Sequence, residues 1–357
     1  MMTRLNIANH RLRNQRLIGP RFETPEDVVR FLGAVQSQDY AGAKWAIAQR
    51  TKRTSDAELD QLFNEGAILR IHVLRPTWHF VMPADIRWML KLTGPRVNAA
   101  SAYYYRQLEL DDAIFRRANA ALAKALQGGK QLTRAELSQV LRDSGIQASG
   151  VRLAYIVLRA ELDAIVCSGA LRGKQFTYAL LDERVPHTRT LDRDEALAEL
   201  TLRYLTSHGP ALPQDYAWWS GLTMADAKAG IEMVKPHLQQ ETVDGKTYSW
   251  VPRATRTLRA PIVHLLPNYD EYLIAYKDRT SSSHPLLKNP ERDDDALRAH
   301  IIVLNGQVVG GWRRTIKKDA VAIKTNLLAR LNKVELAGLR VAAERYGRFI
   351  RKTVTLS

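Results

Sequence analysis

Cysteine is almost absent from this chain of 357 residues. The single thiol, Cys167, excludes an internal disulfide and a cysteine-rich zinc site, and it is typical of proteins in a reducing cytosol. The nine histidines include no His-Glu-x-x-His or comparable metal-ligand spacing. We therefore set a metalloenzyme aside and expect neither a metal nor a cofactor.

The chain also lacks long apolar runs. No stretch approaches the ~18 uninterrupted apolar residues of a membrane span, and residues 1–16 are polar and basic, without the apolar core of a secretion signal. The sequence therefore predicts a cytoplasmic protein with no membrane partner.

Acidic residues are scarce relative to basic ones. Lys and Arg number 53 against 37 Asp and Glu, which gives a net charge of +16. Such an excess favours a polyanionic partner, nucleic acid first and an anionic membrane surface second. A generally basic proteome is the alternative explanation.

Helix-start signals and tight hairpins recur along the chain. Capping boxes, in which a hydroxyl residue precedes an acid by three positions, predict helices that begin near Ser55, Thr133 and Thr223. Asp244-Gly245 and Asn305-Gly306 lie between alternating segments and predict hairpins with type I′ turns.

Helices followed by a hairpin, three times over, are typical of winged helices. We predict an α+β fold with three tandem winged-helix repeats and a small C-terminal β-rich module. The predicted regions are 1–100, 101–190, 191–252 and 253–357, the last comprising that module and a closing helix. A miscellaneous α+β protein is the alternative on pattern alone.

Some boundaries are more specific. We predict a helix over Val151–Ser168, two short strands around a glycine turn within Ala170–Tyr178, and a closing helix over Val334–Tyr346 with Gly347 as its stop signal. Ser281–Pro285 and Pro290–Asp295 are predicted as loops.

Two amides stand one residue apart in Gln36-Ser37-Gln38, just after an apolar helix that opens at Thr24-Pro25. A glutamine cannot act as a proton-transfer base, but it offers a donor and an acceptor that can orient water or a polar substrate. The two side chains share a side only if the helix ends before them and the chain is extended. A solvated helix end is the plainer explanation of the pair.

A second candidate is the segment Leu74–Val81. On an extended chain, Arg75, Thr77 and His79 share one face, opposite an apolar face. A cation, a hydroxyl and an imidazole together indicate a binding surface more strongly than a lone structural histidine would.

Motifs in both halves, in the right order between about residues 10 and 350, resemble the winged-helix DNA glycosylases of the AlkZ/YcaQ type. The first half contributes Gln36-Ser37-Gln38 and Arg75–His79. The second half contributes Leu265–Tyr272 with Tyr276–Arg279, and Gly306–Arg314.

The resemblance implies a glycosylase that excises N7- or N3-alkylated purines from double-stranded DNA, with interstrand crosslink unhooking in some members. Gln36 and Gln38 match the family's Gln-x-Gln motif and would be catalytic, holding the hydrolytic water and supporting the sugar. A related subgroup has Asp at the second position, so Gln38 places this chain on the AlkZ side. Asp39 is a candidate assisting base, although a helix-end acid is equally consistent.

Polar and basic residues on the predicted wings and in the C-terminal half are candidates for DNA contact, with a solvated charged face as the alternative for the charged ones. The full set is Arg75, Thr77, His79, Arg172, Lys174, Lys246, Arg313, Arg314, Lys317 and Lys318. No particular lysine suggests a Schiff base, so we expect a monofunctional enzyme, working as a monomer in the bacterial nucleoid.

Two non-catalytic alternatives stay open. A winged-helix regulator usually binds a palindrome as a dimer, and three unequal repeats in one chain lack that two-fold design. An architectural nucleic-acid binder, in which the amide pair is incidental, can be separated from a glycosylase only by an activity test.

Overall fold

The computed structural model describes residues 3–253, 261–283 and 300–357. The predicted loop over Pro290–Asp295 and the end of the one over Ser281–Pro285 lie outside these residues. None of the helices in the described ranges combines the length and the apolar composition needed to cross a lipid bilayer.

The described ranges form an α+β structure. The helices are α1 Arg4–Asn14, α2 Pro25–Leu32, α3 Tyr40–Arg50, α4 Asp56–Glu65, α5 Ile86–Gln107, α6 Asp112–Leu126, α7 Arg134–Asp143, α8 Gly150–Leu162, α9 Leu181–Arg184, α10 Arg193–Ser207, α11 Pro213–Ser220, α12 Met224–Met233, α13 Glu271–Ile274 and α14 Lys333–Phe349. The strands are β1 Val35–Gln36, β2 Leu69–His72, β3 Trp78–Val81, β4 Leu132–Thr133, β5 Val166–Ser168, β6 Thr177–Leu180, β7 Gln239–Val243, β8 Lys246–Trp250, β9 Val263–Leu266, β10 Ile301–Leu304, β11 Gln307–Ile316, β12 Ala320–Leu327 and β13 Thr353–Leu356.

The chain divides into two compact units. Unit 1 comprises residues 1–59, 198–219 and 223–357, and unit 2 comprises residues 60–197 and 220–222. The division at Leu59 does not follow the predicted region 1–100, and the three winged-helix repeats stay a prediction.

Unit 2 contains the hairpin β2–β3 and a three-stranded sheet of order β4-β6-β5. The helices α6, α7 and α8 pack on this sheet through a buried cluster that includes Leu122, Leu141 and Ile156. The order helix, short strand, two helices and hairpin is the one expected of a winged helix.

Unit 1 is built around a five-stranded sheet of order β13-β12-β11-β10-β9. The strands β9, β10, β11 and β12 are antiparallel neighbours, whereas β13 pairs with β12 in parallel. A separate hairpin, β7–β8, belongs to the same unit.

The capping and turn signals are confirmed. Thr133 and Thr223 each form a reciprocal capping box with the acid three residues on, and Ser55 exchanges hydrogen bonds with Glu58. Both residues of Asp244-Gly245 and of Asn305-Gly306 have positive φ, as a type I′ turn requires.

The predicted helix over Val151–Ser168 is wrong at its end. The helix α8 stops at Leu162, Ala164 adopts a φ of 59°, and residues from Val166 enter the strand β5. The first strand therefore lies before the predicted segment Ala170–Tyr178, and the second begins only at Thr177. The turn at Gly173, with a φ of 63°, is confirmed.

Gly347 is not the stop signal of the closing helix, which continues to Phe349. A Cβ at this position would lie 2.3 Å from Cγ2 of Val354 and 2.7 Å from the carbonyl oxygen of Lys352. The glycine therefore permits the strand β13 to approach α14 closely.

Candidate active site

The amide pair lies on an extended connection between α2 and α3. The helix α2 ends at Leu32, and Gly33 follows with a φ of 84°. Val35–Gln36 forms the short strand β1. Gln36 and Ser37 are buried, whereas Gln38 is exposed. The expectation that the helix ends before the two amides is therefore confirmed; Gln36 is in an extended strand, whereas Gln38 lies in a bend.

A buried carboxylate holds the first amide residue through its backbone. Oε1 of Glu271 accepts a hydrogen bond of 3.0 Å from the N–H of Gln36. Oε2 of Glu271 accepts from Nε1 of Trp219 at 2.9 Å and lies 3.2 Å from Nε2 of His208. Burial lowers the pKa of the His208 ring, so this ring is neutral and donates to Glu271. The carboxylate therefore fixes the position of β1 within unit 1.

The first turn of α3 brings two further oxygens together. Asp39 caps the helix, because its Oδ1 accepts from the N–H of Gly42 at 3.0 Å. A Cβ built on Gly42 would lie 2.9 Å from Oδ2 of Asp39 and 3.1 Å from Oδ1 of Asn268. Among the described residues, Oδ1 of Asn268 is buried without a hydrogen-bond partner. Two acceptors thus border the space that the missing side chain of Gly42 leaves.

The imidazole of His300 holds the loop that contains Asn268. Nδ1 of His300 accepts a hydrogen bond of 2.9 Å from the N–H of Asn268, and the ring lies 4.8 Å from that of Trp312. Burial, reinforced by the charge of Arg314 and opposed by that of Asp39, lowers the pKa of His300 to about 4. The ring is therefore neutral at pH 7 and holds the loop as an acceptor.

The far end of α3 is tied to the same loop. Arg50 donates two hydrogen bonds to the Asp270 carboxylate, at 2.8 and 3.0 Å, and both side chains are buried. Residues 268–271 thus contact β1 and both ends of α3. This loop therefore helps to fix the position of the segment that carries the amide pair.

The residues predicted on the first wing have different environments. His79, in β3, is buried and donates from Nδ1 to the carbonyl oxygen of Thr77 at 2.8 Å. Arg75 and Thr77 are partly exposed and precede the strand, in the turn before Trp78. DNA contact by these three residues stays a prediction. The burial of His79 does not favour contact between its ring and DNA.

Two of the other predicted DNA-binding cations are already paired. Nη1 of Arg172 donates to both carboxylate oxygens of Glu136, at 2.7 and 3.0 Å. The backbone hydrogen bond from Thr133, followed by the bond from Arg172, lowers the pKa of that carboxyl group. Nζ of Lys246 lies 2.7 Å from Oδ2 of Asp278. Lys174 is exposed at the tip of its hairpin.

The remaining predicted cations lie on the hairpin β11–β12 of unit 1. Arg313, Lys317 and Lys318 are exposed, and the two lysines form its turn. Arg314 is partly buried, with its guanidinium 5.5 Å from the ring centre of Tyr346. Because Arg314 also acts electrostatically on His300, this hairpin begins close to the Asn268 loop.

Comparisons with known proteins bear on the family and the fold. The sequence model of a family described as DNA glycosylase AlkZ-like matches residues 29–349. The chain belongs to the AlkZ-like DNA glycosylase family. It is thereby a DNA glycosylase, a hydrolase whose substrate is DNA.

The structure supports the same family at the level of the fold. DNA glycosylase AlkZ of Streptomyces sahachiroi matches with a TM-score of 0.80 and 17% sequence identity, over 100% of both chains. No curated protein matches the sequence. The expected resemblance is therefore confirmed for the family and the fold. The assignment of the site residues depends on the contacts described above.

Sequence reasoning missed Glu271, Asn268 and His300. The motif Leu265–Tyr272 contains the first two, and it was noted only for its resemblance. The roles of Glu271 and Asn268 depend on contacts across more than two hundred residues of sequence, such as that between Glu271 and Gln36, and that of His300 on a contact across 32 residues. For Asn268 and Glu271, the only signal in the sequence is a polar cluster within the apolar segment Leu265–Tyr272.

Proposed function

We propose that this glycosylase is monofunctional and hydrolyses the N-glycosidic bond of N7- and N3-alkylated purines in duplex DNA. The observation that carries the proposal is the amide pair between α2 and α3, with Glu271 bonded to the backbone of Gln36 and the oxygens of Asp39 and Asn268 beside Gly42. An N7-alkylated guanine is already cationic, so its glycosidic bond breaks with little acid catalysis. Positioning of water and electrostatic support of the sugar then supply the rate.

The chemical step balances with these residues alone. The water oxygen attacks C1′ of the sugar as the bond from C1′ to the purine nitrogen breaks, and that electron pair neutralises the departing base. The proton lost from water goes to Asp39 or to solvent. The products are a free alkylated purine and an abasic site.

Each polar group has a part in holding the water. Gln36 and Gln38 orient it and support the oxocarbenium-like sugar. Oδ2 of Asp39 and Oδ1 of Asn268 accept its two hydrogens, which leaves a lone pair of its oxygen for C1′. The neutral His300 keeps Asn268 in place through the backbone.

Interstrand crosslinks are a second substrate class in this proposal. A crosslinked purine remains tethered to the opposite strand and cannot enter a snug pocket, so limited flipping fits both substrates better than full extrusion. The exposure of Gln38, on a segment between two helices, suits attack on a base that stays near the duplex.

The test is excision from a duplex with one N7-methylguanine, and from a crosslinked duplex, in the absence of added metal. Heating in alkali converts abasic sites to strand breaks. Breaks at the lesion support the proposal. Tight binding without breaks on either duplex would contradict it and favour a regulator or an architectural protein, and dimeric binding to a palindrome would identify the former.

A further inference from the structure

A cleft of about 430 Å³ lies in unit 1 beside the C-terminal end of α3. Five basic residues line it, and no carboxylate does: Arg21, Lys52, Arg53, Arg345 and Arg348. We refer to these five residues as the cationic cleft. Its floor includes Trp45 and Phe349, which are buried, so no aromatic face is open for stacking on a base.

One of the five cations has a structural task. Arg345 donates to the carbonyl oxygens of Ala48 and Gln49, at 2.9 and 2.8 Å, and so caps the end of α3. Burial, with the charges of Arg21 and Arg348, lowers the pKa of Arg345 to about 9.

Two of the other four cations are uncompensated. Lys52 pairs with Glu23 at the surface, so its charge is partly neutralised. Arg53 and Arg348 are exposed and form no ion pair within the part of the chain that the structure describes. Like charges gathered in a concave site attract a counter-anion, because the low-dielectric walls focus their field. Guanidinium groups suit phosphate in particular, since their planar forks bind its oxygens in pairs.

The position of the cleft relates it to the amide pair. It lies at the opposite end of α3 from Gln38 and Asp39, and α3 has eleven residues. The length of α3 is therefore about 16 Å, which corresponds to roughly five base pairs when the helix runs along the duplex.

We propose that the cationic cleft binds backbone phosphates of the substrate DNA about five base pairs from the lesion. The distance rests on the proposed function, because it takes the lesion to lie at Gln38, whereas phosphate binding by the cleft does not. The site would anchor undamaged DNA to one side of the lesion and leave the amide pair free to act on the altered base.

The test uses the full chain and a double variant, Arg53→Ala with Arg348→Ala, which leaves the cap formed by Arg345 intact. The control removes two exposed cations of α14 outside the cleft, Lys333→Ala with Arg340→Ala. Binding to undamaged duplex is measured against salt. The cleft variant should reduce the slope of log affinity against log salt by about 2, at roughly 0.9 for each phosphate lost, and the control should not.

A second measurement locates the contact. Single neutral methylphosphonate linkages are placed from one to eight base pairs away from an N7-methylguanine. We expect the parent protein to lose affinity when the neutral linkage lies four to six base pairs to one side, and the cleft variant to be insensitive there. Equal losses in both proteins, or an unchanged salt slope, would overturn the proposal.

Two further results distinguish the ways in which the proposal can fail. Tight binding of pyrophosphate or a nucleoside triphosphate, lost in the cleft variant while DNA binding is kept, would overturn the proposal in favour of a free-phosphate site. If no base is excised but the salt slope still falls by about 2, the proposed function fails and phosphate binding by the cleft stands.

Discussion

The backbone N–H of Gln36 donates a hydrogen bond of 3.0 Å to Oε1 of Glu271, across 235 residues of sequence. A buried carboxylate thus fixes the main chain of the first amide residue through its backbone N–H. Charge-assisted hydrogen bonds of this kind are stronger than neutral ones, so Glu271 is a positioning residue for the amide pair.

We expect Glu271→Gln to slow excision of N7-methylguanine by roughly 10- to 100-fold, with unchanged affinity for undamaged duplex. Both carboxylate oxygens of Glu271 accept from N–H donors, whereas a glutamine has one acceptor and turns an NH₂ group towards the other donor. Single-turnover kinetics measure the effect.

The control for this change is Glu161→Gln. Glu161 is a buried carboxylate in unit 2 that accepts from the backbone N–H of His72 at 3.2 Å. The two variants should lose similar thermal stability, of the order of 1–3 kcal/mol each, but only Glu271→Gln should lose rate. Equal rate losses in both would reduce Glu271 to a purely structural role.

Local signals predicted much of the fold, and contacts between distant residues explain the rest. The capping boxes at Thr133 and Thr223 and the turn at Asn305-Gly306 are properties of a few adjacent residues, so they could be predicted from sequence. Gly347 resembled a helix stop, but Val354 packs against it, and no local pattern shows that contact.

In the candidate site, too, some residues could be recognised from the sequence and others only from the structure. Gln36 and Gln38 stand out as a pair in the sequence, whereas the end of α2 at Gly33 becomes recognisable only in the structure. The acceptor at Asn268 and the neutral ring of His300 become recognisable only when the loop after β9 is placed beside α3.

Gly42→Ala should lower the excision rate at least tenfold. The new Cβ would come 2.9 Å from Oδ2 of Asp39 and 3.1 Å from Oδ1 of Asn268, so it displaces the water that we place between them; a 1 Å misplacement costs up to about 100-fold. Asn268→Ala should have a similar effect by removing one acceptor.

Gly94→Ala is the matched control, because Gly94 is also helical and its added Cβ would meet only the carbonyl oxygen of Leu162, at 3.4 Å. This variant should keep full activity and gain up to about 1 kcal/mol of stability from helix propensity. Full activity of Gly42→Ala would refute the water site.

The stability of the fold should fall as the pH drops below about 6.5. Burial lowers the pKa of His264 to about 3 and that of His300 to about 4, so between these values and 6.5 the unfolded chain binds more protons than the native one. Each histidine then reduces the unfolding free energy by up to about 1.4 kcal/mol per pH unit.

Urea unfolding between pH 7 and 4.5 measures this dependence. His300→Gln should make the curve shallower by up to about 1.4 kcal/mol per pH unit, because one depressed pKa is removed. A slope identical to that of the parent protein would show that His300 does not titrate differently in the two states.

The hairpin β11–β12 should contribute to DNA binding through charge. Lys317→Ala and Lys318→Ala should each reduce the salt dependence of duplex affinity by about 0.9, the value for one phosphate contact. Arg172→Ala should change it less, because Glu136 already neutralises Arg172. An equal or larger effect of Arg172→Ala would show that its ion pair opens on DNA.

The amide pair tests the central claim most directly. Gln36→Ala and Gln38→Ala are compared with Gln240→Ala, an exposed glutamine of β7, by single-turnover excision of N7-methylguanine and by separate measurement of duplex affinity. Both site variants should lose at least 100-fold in excision rate while they keep their duplex affinity and their melting temperature. The control should keep its rate, its affinity and its melting temperature. Excision at the parent rate by either site variant would contradict the role proposed for that glutamine.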